Sequence, residues 1–107
     1  MNKQETIEYA IEHKKELYFF YSKKWRVFSP HKIGLKFPKE GGQGVLHVFG
    51  FQFDGRSHEG ELIEGQWRCF KFEEMSRVVS REGEFHTILT EGGPGSCFDQ
   101  IFKEIDY

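Results

Sequence analysis

The chain contains little cysteine: Cys69 and Cys97 are the only two among its 107 residues. Two thiols cannot build the disulfide framework that stabilises many small secreted domains. We therefore predict that both are reduced and that the protein is cytoplasmic. We also predict that the domain folds with neither a disulfide nor a metal ion, because its many aromatic residues can form a sufficient core.

Long apolar runs are absent as well. No segment approaches the roughly 18 consecutive apolar residues of a membrane-spanning helix, and residues 1–5 lack the apolar centre of a signal peptide. We expect no membrane association. The formal net charge is −2, which argues against strong nonspecific binding to nucleic acid, although a local basic patch is compatible with that total.

Catalytic and metal-binding patterns are also missing. Neither cysteine has a histidine beside it, and the adjacent carboxylates Glu73 and Glu74 point in different directions, which disfavours a catalytic pair. The histidines lack the close spacing of zinc ligands; they are His13, His31, His47, His58 and His86. We predict a noncatalytic protein with no metal and no cofactor.

Aromatic residues, in contrast, are abundant. Phenylalanine occurs 12 times and aromatic residues make up 17% of the chain, so a domain of this length can bury enough area for a single modest core. The longest β-compatible stretch is residues 44–53, which is apolar at both parities over its first part. This pattern predicts a strand that is covered on both faces.

Apolar residues at helical spacing occur near both ends of the sequence. The i, i+3, i+4 spacing of Ile7, Ala10 and Ile11 predicts an amphipathic helix over residues 3–15. A second stripe with i, i+3, i+4, i+7 spacing predicts a C-terminal helix over residues 96–107; it consists of Phe98, Ile101, Phe102 and Ile105. The glycine-rich residues 91–95 would be the linker to this helix.

Short β-compatible segments fill the remainder of the chain. The predicted strands are residues 17–21, 25–29, 44–53, 66–72 and 77–80, with a return strand at 85–90. Pro30 is expected to end the second strand, because proline lacks an N–H donor, although residues 31–37 could extend it past a bend at Gly34. Residues 54–65 are expected to form an irregular loop, and residues 73–75 a single helical turn.

This order of elements predicts a mainly β (α+β) fold in one domain, residues 1–107. The specific expectation is a small SH3-like or Sm-like barrel of five to six strands, with an N-terminal helix and a C-terminal helix. The barrel core would span residues 3–90.

Three segments resemble the WYL domain family, the ligand-sensing module of many bacterial transcription regulators. They are Ala10-Ile11 followed by Tyr18-Phe19-Phe20-Tyr21, then Arg26-Val27-Phe28-Ser29-Pro30, and finally Arg68-Cys69-Phe70-Lys71-Phe72-Glu73-Glu74-Met75. The chain departs from the family pattern in having Gly44-Val45-Leu46 in place of Trp-Tyr-Leu and Glu74 in place of an arginine. We also expect it to lack the helix-turn-helix domain that usually precedes the module.

The resemblance implies a noncatalytic ligand-sensing or binding module with a role in transcription regulation. We expect an anionic ligand, such as a nucleotide or a short single strand of nucleic acid, at Arg26, His31 and Arg68. Arg68 shares a strand face with Phe70, so an inward guanidinium that binds phosphate or carboxylate is plausible. The structural alternative for Arg68 is an ion pair with Glu64, Glu73 or Glu74, and for Arg26 it is simple exposure on a strand.

Two further interpretations remain open from the sequence. In the first, the barrel is only a scaffold, and the C-terminal helix binds a partner protein or a second copy of the chain. In the second, Lys23 and Lys24 with Tyr18, Tyr21 and Trp25 form a basic aromatic platform on which single-stranded bases stack.

Overall fold

The computed structural model describes residues 1–53, 65–83, 85 and 98–106. Within these ranges the chain forms one α-helix, one short 3₁₀-helix and six antiparallel strands. These elements are α1 (Lys3–His13), β1 (Glu16–Tyr21), β2 (Lys24–Lys36), β3 (Val45–Gln52), β4 (Gln66–Lys71), η1 (Phe72–Glu74), β5 (Ser76–Arg81) and β6 (Gln100–Glu104). The mainly β prediction is confirmed. The predicted linker at 91–95, the loop at 54–64 and most of the return strand at 85–90 lie outside the described residues.

The N-terminal helix begins and ends where its sequence contains the appropriate caps. Asn2 and Glu5 form a capping box, in which each side chain accepts a hydrogen bond from the other residue's backbone N–H. Lys14 ends the helix in the left-handed conformation. The predicted apolar stripe of Ile7, Ala10 and Ile11 is fully buried, so the amphipathic helix is confirmed.

The sheet has the order β4-β3-β2-β1-β5, and β6 pairs with the second half of β2. Strand β2 is long and pairs with two different strands along the same edge. Its first half pairs with β1 as far as Phe28, and its second half pairs with β6 from Lys32. The β1–β2 hairpin turns at Ser22 and Lys23, both of which have positive φ, as a tight two-residue hairpin requires.

The prediction that Pro30 ends the second strand is wrong. On one edge of β2, Pro30 lies in the gap between Phe28, the last residue paired with β1, and Lys32, the first residue paired with β6. On the other edge, the pairing of β2 with β3 shifts register directly after Pro30, at His31. A strand tolerates a missing N–H donor at such an irregular position. The predicted extension through residues 31–36 is therefore part of β2, and its register with β6 shifts again between Ile33 and Gly34.

The strand predicted to be covered on both faces is β3. Its neighbouring residues Val48 and Phe49 point to opposite faces, and both are buried. On one face Val48 lies beside Phe28 and Phe70 in the main core. On the other face the Phe49 ring stacks on Trp67 at a centroid distance of 5.4 Å.

The sheet curves strongly around its main core. Strands β1 and β4 are three strand spacings apart in the sheet order, which would be about 14 Å in a flat sheet. Nevertheless, the Phe70 ring in β4 contacts Phe19 and Tyr21 in β1 at centroid distances of 5.2 and 4.7 Å. The helical turn predicted near residues 73–75 is confirmed as η1, and the Lys3 ammonium donates to the carbonyl oxygens of Phe72 and Met75 that flank it.

The predicted C-terminal helix over residues 96–107 is wrong. Residues Gln100–Glu104 form β6, and the backbone N–H groups of Asp99 and Ile105 donate to carbonyl oxygens of β2. This half of β2 offers an unpaired edge once β1 has ended, and β-branched and aromatic residues suit that edge. Only part of the apolar stripe is buried, because Ile101 and Phe102 remain 43% and 46% exposed.

Candidate anion-binding site

Two of the three predicted site residues lie together on the main-core face of the sheet. Arg26 in β2 and Arg68 in β4 both approach the ring of Phe70, with guanidinium carbons 5.8 and 5.2 Å from its centroid. Strand alternation explains this placement. Arg26 has the parity of Phe28, and Arg68 has the parity of Phe70.

The guanidinium of Arg26 is fixed in place by hydrogen bonds to other residues of the protein. Its side chain is buried, with only 9% of the residue exposed. Nε and Nη2 donate to the Tyr21 carbonyl oxygen at 3.3 and 3.2 Å, and Nη1 donates to Gln52 Oε1 at 3.3 Å. These are neutral acceptors, so the positive charge of Arg26 remains without a carboxylate among the described residues.

Arg68 is half-buried, and its guanidinium carbon lies 5.2 Å from the centroid of the Phe70 ring, with no hydrogen bond or ion pair in the described part of the chain. Neither Glu73 nor Glu74 forms the ion pair that the sequence offered as an alternative; Glu64 lies outside the described residues. Buried or half-buried cations are stable only with compensating charge or hydrogen bonds. Arg26 meets this requirement with its three hydrogen bonds, whereas Arg68 has neither a hydrogen bond nor a counter-charge among the described residues.

His31 lies elsewhere, on the opposite face of the sheet. The register shift at His31 turns its side chain toward the face of Phe49, and the residue is fully buried. Its ring stacks on Phe85 at 5.4 Å and meets the edge of Trp67 at 4.9 Å. Sequence reasoning missed this second aromatic cluster. The alternation of residues within β3 and β4 already placed Phe49 and Trp67 on the faces opposite to Val48 and Phe70, but it did not show that the two rings meet.

Cys69 belongs to this second face and is disulfide-bonded. The prediction of two reduced thiols is therefore wrong for Cys69, whereas Cys97 lies outside the described residues. The sequence offered no sign of the bond, because neither the number nor the spacing of the cysteines follows a known framework. The expectation of a cytoplasmic protein loses the support that reduced thiols would have given it.

The aromatic platform suggested by the sequence is present in part. Tyr18 and Trp25 stack with centroids 4.6 Å apart and planes inclined by 9°, and Trp25 is 43% exposed beside Lys24. The guanidinium of Arg81 lies 4.4 Å from the Tyr18 ring. Tyr21 is not part of this surface, because strand alternation turns it toward the main core.

Other kinds of site are not found in the described part of the chain. Residues 1–53, 65–83, 85 and 98–106 contain no group of three or more His, Cys, Asp or Glu side chains that could hold a metal ion. No helix in these ranges is long and apolar enough to cross a membrane.

No protein-family model, no curated protein and no solved structure matches this chain. The resemblance to the WYL domain family therefore stays a prediction, and function is argued from the residues alone.

Proposed function

We propose that this chain is a noncatalytic binding module for an anionic ligand, such as a nucleotide or a short single strand of nucleic acid, with a regulatory role. The observation that carries the proposal is the convergence of Arg26 and Arg68 on one aromatic ring without a carboxylate partner in the described part of the chain. Two guanidinium groups that both approach one buried ring would favour an anion of matching geometry.

We further propose that the scaffold is a small barrel of the SH3-like or Sm-like kind. Four observations support this. The first four strands follow one another in the sheet, β5 pairs back onto β1, and η1 connects β4 to β5. The ring contact between Tyr21 and Phe70 spans the concave side of the sheet. A closed sheet of this type would place the arginines at one end of its interior.

The two arginines would have different roles in binding. Arg68 is half-buried, so its fork of N–H donors can meet a phosphate or carboxylate directly. Arg26 is fixed by Tyr21 and Gln52, so it would contribute charge from a preorganised position rather than a mobile contact. The Phe70 ring keeps both stems in an apolar environment, which strengthens the electrostatic attraction at the site.

The test is a titration of inorganic phosphate, adenosine diphosphate and a short oligothymidylate, followed by calorimetry and thermal unfolding. A ligand that binds the native state should raise the melting temperature. Arg68→Gln should weaken that binding about tenfold, because a hydrogen-bonded charge is removed. Arg77→Gln is the matched control, since Arg77 is an exposed arginine of β5. Equal affinities for Arg68→Gln and the wild type, or no response to any anion, would refute the proposal.

The exposed residues of β6 favour a second candidate function, an interaction scaffold. Ile101 and Phe102 leave apolar surface on β6, which among the described strands pairs only with β2. The edge of β6 away from β2, which pairs with no strand in the described ranges, could pair with the same strand of a second copy. Light scattering over a concentration series would detect this dimer, and Ile101→Lys should dissociate it. A monomer at every concentration would exclude it.

A further inference from the structure

A second basic site lies at the end of the sheet where β2 leads into β3. A cavity of about 340 Å³ opens there, within the size range of small-ligand sites. The residues that line it include Lys36, Phe37, Lys39, His47 and Lys71. We call this site the lysine groove.

Strand pairing places the lysine groove on the opposite face of β4 from Arg68. His47 in β3 pairs directly with Lys71 in β4, and Lys36 in β2 pairs with Val45 in β3. Residues 45, 47 and 71 have the opposite parity to Val48, Arg68 and Phe70. The groove is therefore separate from the arginine pair, and each site can be altered without touching the other.

Three lysines of the groove line one cavity, and none of them has a counter-charge among the described residues; Lys14, Lys23 and Lys24 also lack one but do not line this cavity. Lys15, Lys32 and Lys103 each form an ion pair. Lys36, Lys39 and Lys71 form none with any carboxylate in the described part of the chain.

One described carboxylate, that of Asp99, bonds to a residue of the groove and offsets part of the charge of the three lysines without forming an ion pair with any of them. Asp99 accepts a hydrogen bond from the backbone N–H of Phe37 at 2.6 Å. Glu73 lines an adjoining cavity of about 270 Å³, which shares Val45 with the groove. Three ammonium groups around one cavity therefore leave an excess of positive charge that attracts an anion.

The remaining wall of the groove is aromatic. Phe37 is 44% exposed, and its ring is so close to Gly44 that a Cβ built on Gly44 would lie 3.1 Å from Phe37 Cε1. His47 Nδ1 lies 2.9 Å from the Val45 carbonyl oxygen, an acceptor, so Nδ1 carries the proton and donates. In the neutral ring Nε2 is then left as an acceptor for a sugar hydroxyl.

We infer that the lysine groove binds a nucleoside phosphate. The lysines would hold the phosphate as point charges, and the exposed Phe37 ring would stack on the base. A free mononucleotide and a nucleotide within a single strand share this chemistry. The inference is independent of the proposed role of Arg26 and Arg68, because it needs neither residue.

The experiment is a titration followed by amide NMR of the whole chain, with inorganic phosphate, adenosine monophosphate and a short oligothymidylate as probes. The amide signals of Lys36, His47 and Lys71 should move on adding the nucleotide, and Arg68→Gln should leave these movements unchanged. Saturation by adenosine monophosphate alone would identify a free nucleotide as the source. Saturation only by the oligothymidylate would identify a strand.

Variants test separately the binding of the phosphate by the lysines and the stacking of the base on Phe37. Lys71→Gln should weaken nucleotide binding about tenfold, whereas Lys14→Gln, which alters an exposed lysine at the end of α1, should not. Phe37→Leu should weaken the nucleotide but not inorganic phosphate. The inference is overturned if the groove signals respond to no probe, if Lys71→Gln binds as tightly as the wild type, or if phosphate alone binds as well as the nucleotide.

Discussion

Tyr21 and Phe70 are in ring contact, with centroids 4.7 Å apart, although β2 and β3 separate their strands in the sheet. The Tyr21 hydroxyl extends further and accepts a hydrogen bond from the backbone N–H of Lys71 at 3.3 Å. The contact therefore draws the end of β1 toward the end of β4. Because Phe70 also supports both arginines, the core and the candidate anion site depend on one ring.

The first prediction concerns that ring. Phe70→Ala should lower the free energy of unfolding by about 3–5 kcal/mol, since a fully buried aromatic side chain is lost and a cavity remains. Phe102→Ala is the control and should change it by less than about 0.5 kcal/mol, because Phe102 is an exposed residue of β6. Urea denaturation measures both. A similar small loss in the two variants would show that the curved core is not formed.

The second prediction concerns the pairing of β6 with β2. A Cβ on Gly34 would overlap the carbonyl oxygen of Gln100, so Gly34→Ala should push β6 away from β2. The amide hydrogens of Asp99 and Ile105, which bond to β2 carbonyls, should then exchange faster with solvent.

Gly44→Ala is the matched control for this exchange measurement. A Cβ there meets only side-chain atoms of Leu35 and Phe37, at 3.1–3.3 Å, so the neighbours can adjust. Hydrogen exchange detected by NMR should show no change at Asp99 or Ile105 in this variant. If Gly34→Ala also leaves both amides protected, β6 is not paired as described.

The third prediction concerns Cys69. Reduction, or Cys69→Ser, should lower the free energy of unfolding by about 2–4 kcal/mol, the usual range for a native disulfide. Thermal unfolding with and without reductant measures the loss, and peptide mapping without reduction identifies the cysteine joined to Cys69. Ser80→Ala serves as a control that leaves the thiol chemistry unchanged. Free alkylation of both cysteines in the native, unreduced protein would contradict the bond.

Local patterns predicted the elements whose structure depends on their own sequence. The Ile7, Ala10 and Ile11 stripe gave α1, and alternation gave the double-sided burial of Val48 and Phe49 in β3. The same alternation put Arg68 beside Phe70. In α1 and β3 the residues that the sequence pattern marks as apolar are also the buried ones, because another part of the fold packs against them.

The errors arose where distant pairing outweighs local pattern. The i, i+3, i+4, i+7 spacing from Phe98 to Ile105 suits a helix, but the open edge of β2 recruits these residues as a strand. Pro30 is tolerated because the register shifts beside it. The lysine groove could not be predicted from the sequence. Lys36 and Lys71 are far apart in the chain, and only the pairing of β2 with β3 and of β3 with β4 brings them to one cavity.

The last prediction separates the two arginines of the candidate anion site. Arg26→Gln should lower the free energy of unfolding by about 1–3 kcal/mol, because a buried guanidinium that donates to Tyr21 and Gln52 is lost. Arg68→Gln should cost less than about 1 kcal/mol, since Arg68 is half-buried and lies near the Phe70 ring without a hydrogen bond or ion pair among the described residues. Anion affinity should show the reverse order, with the larger loss in Arg68→Gln. Urea denaturation and calorimetry on the same preparations measure both quantities. Loss of stability without loss of anion binding in Arg68→Gln would mean that Arg68 is a structural residue and that the arginine pair is no site.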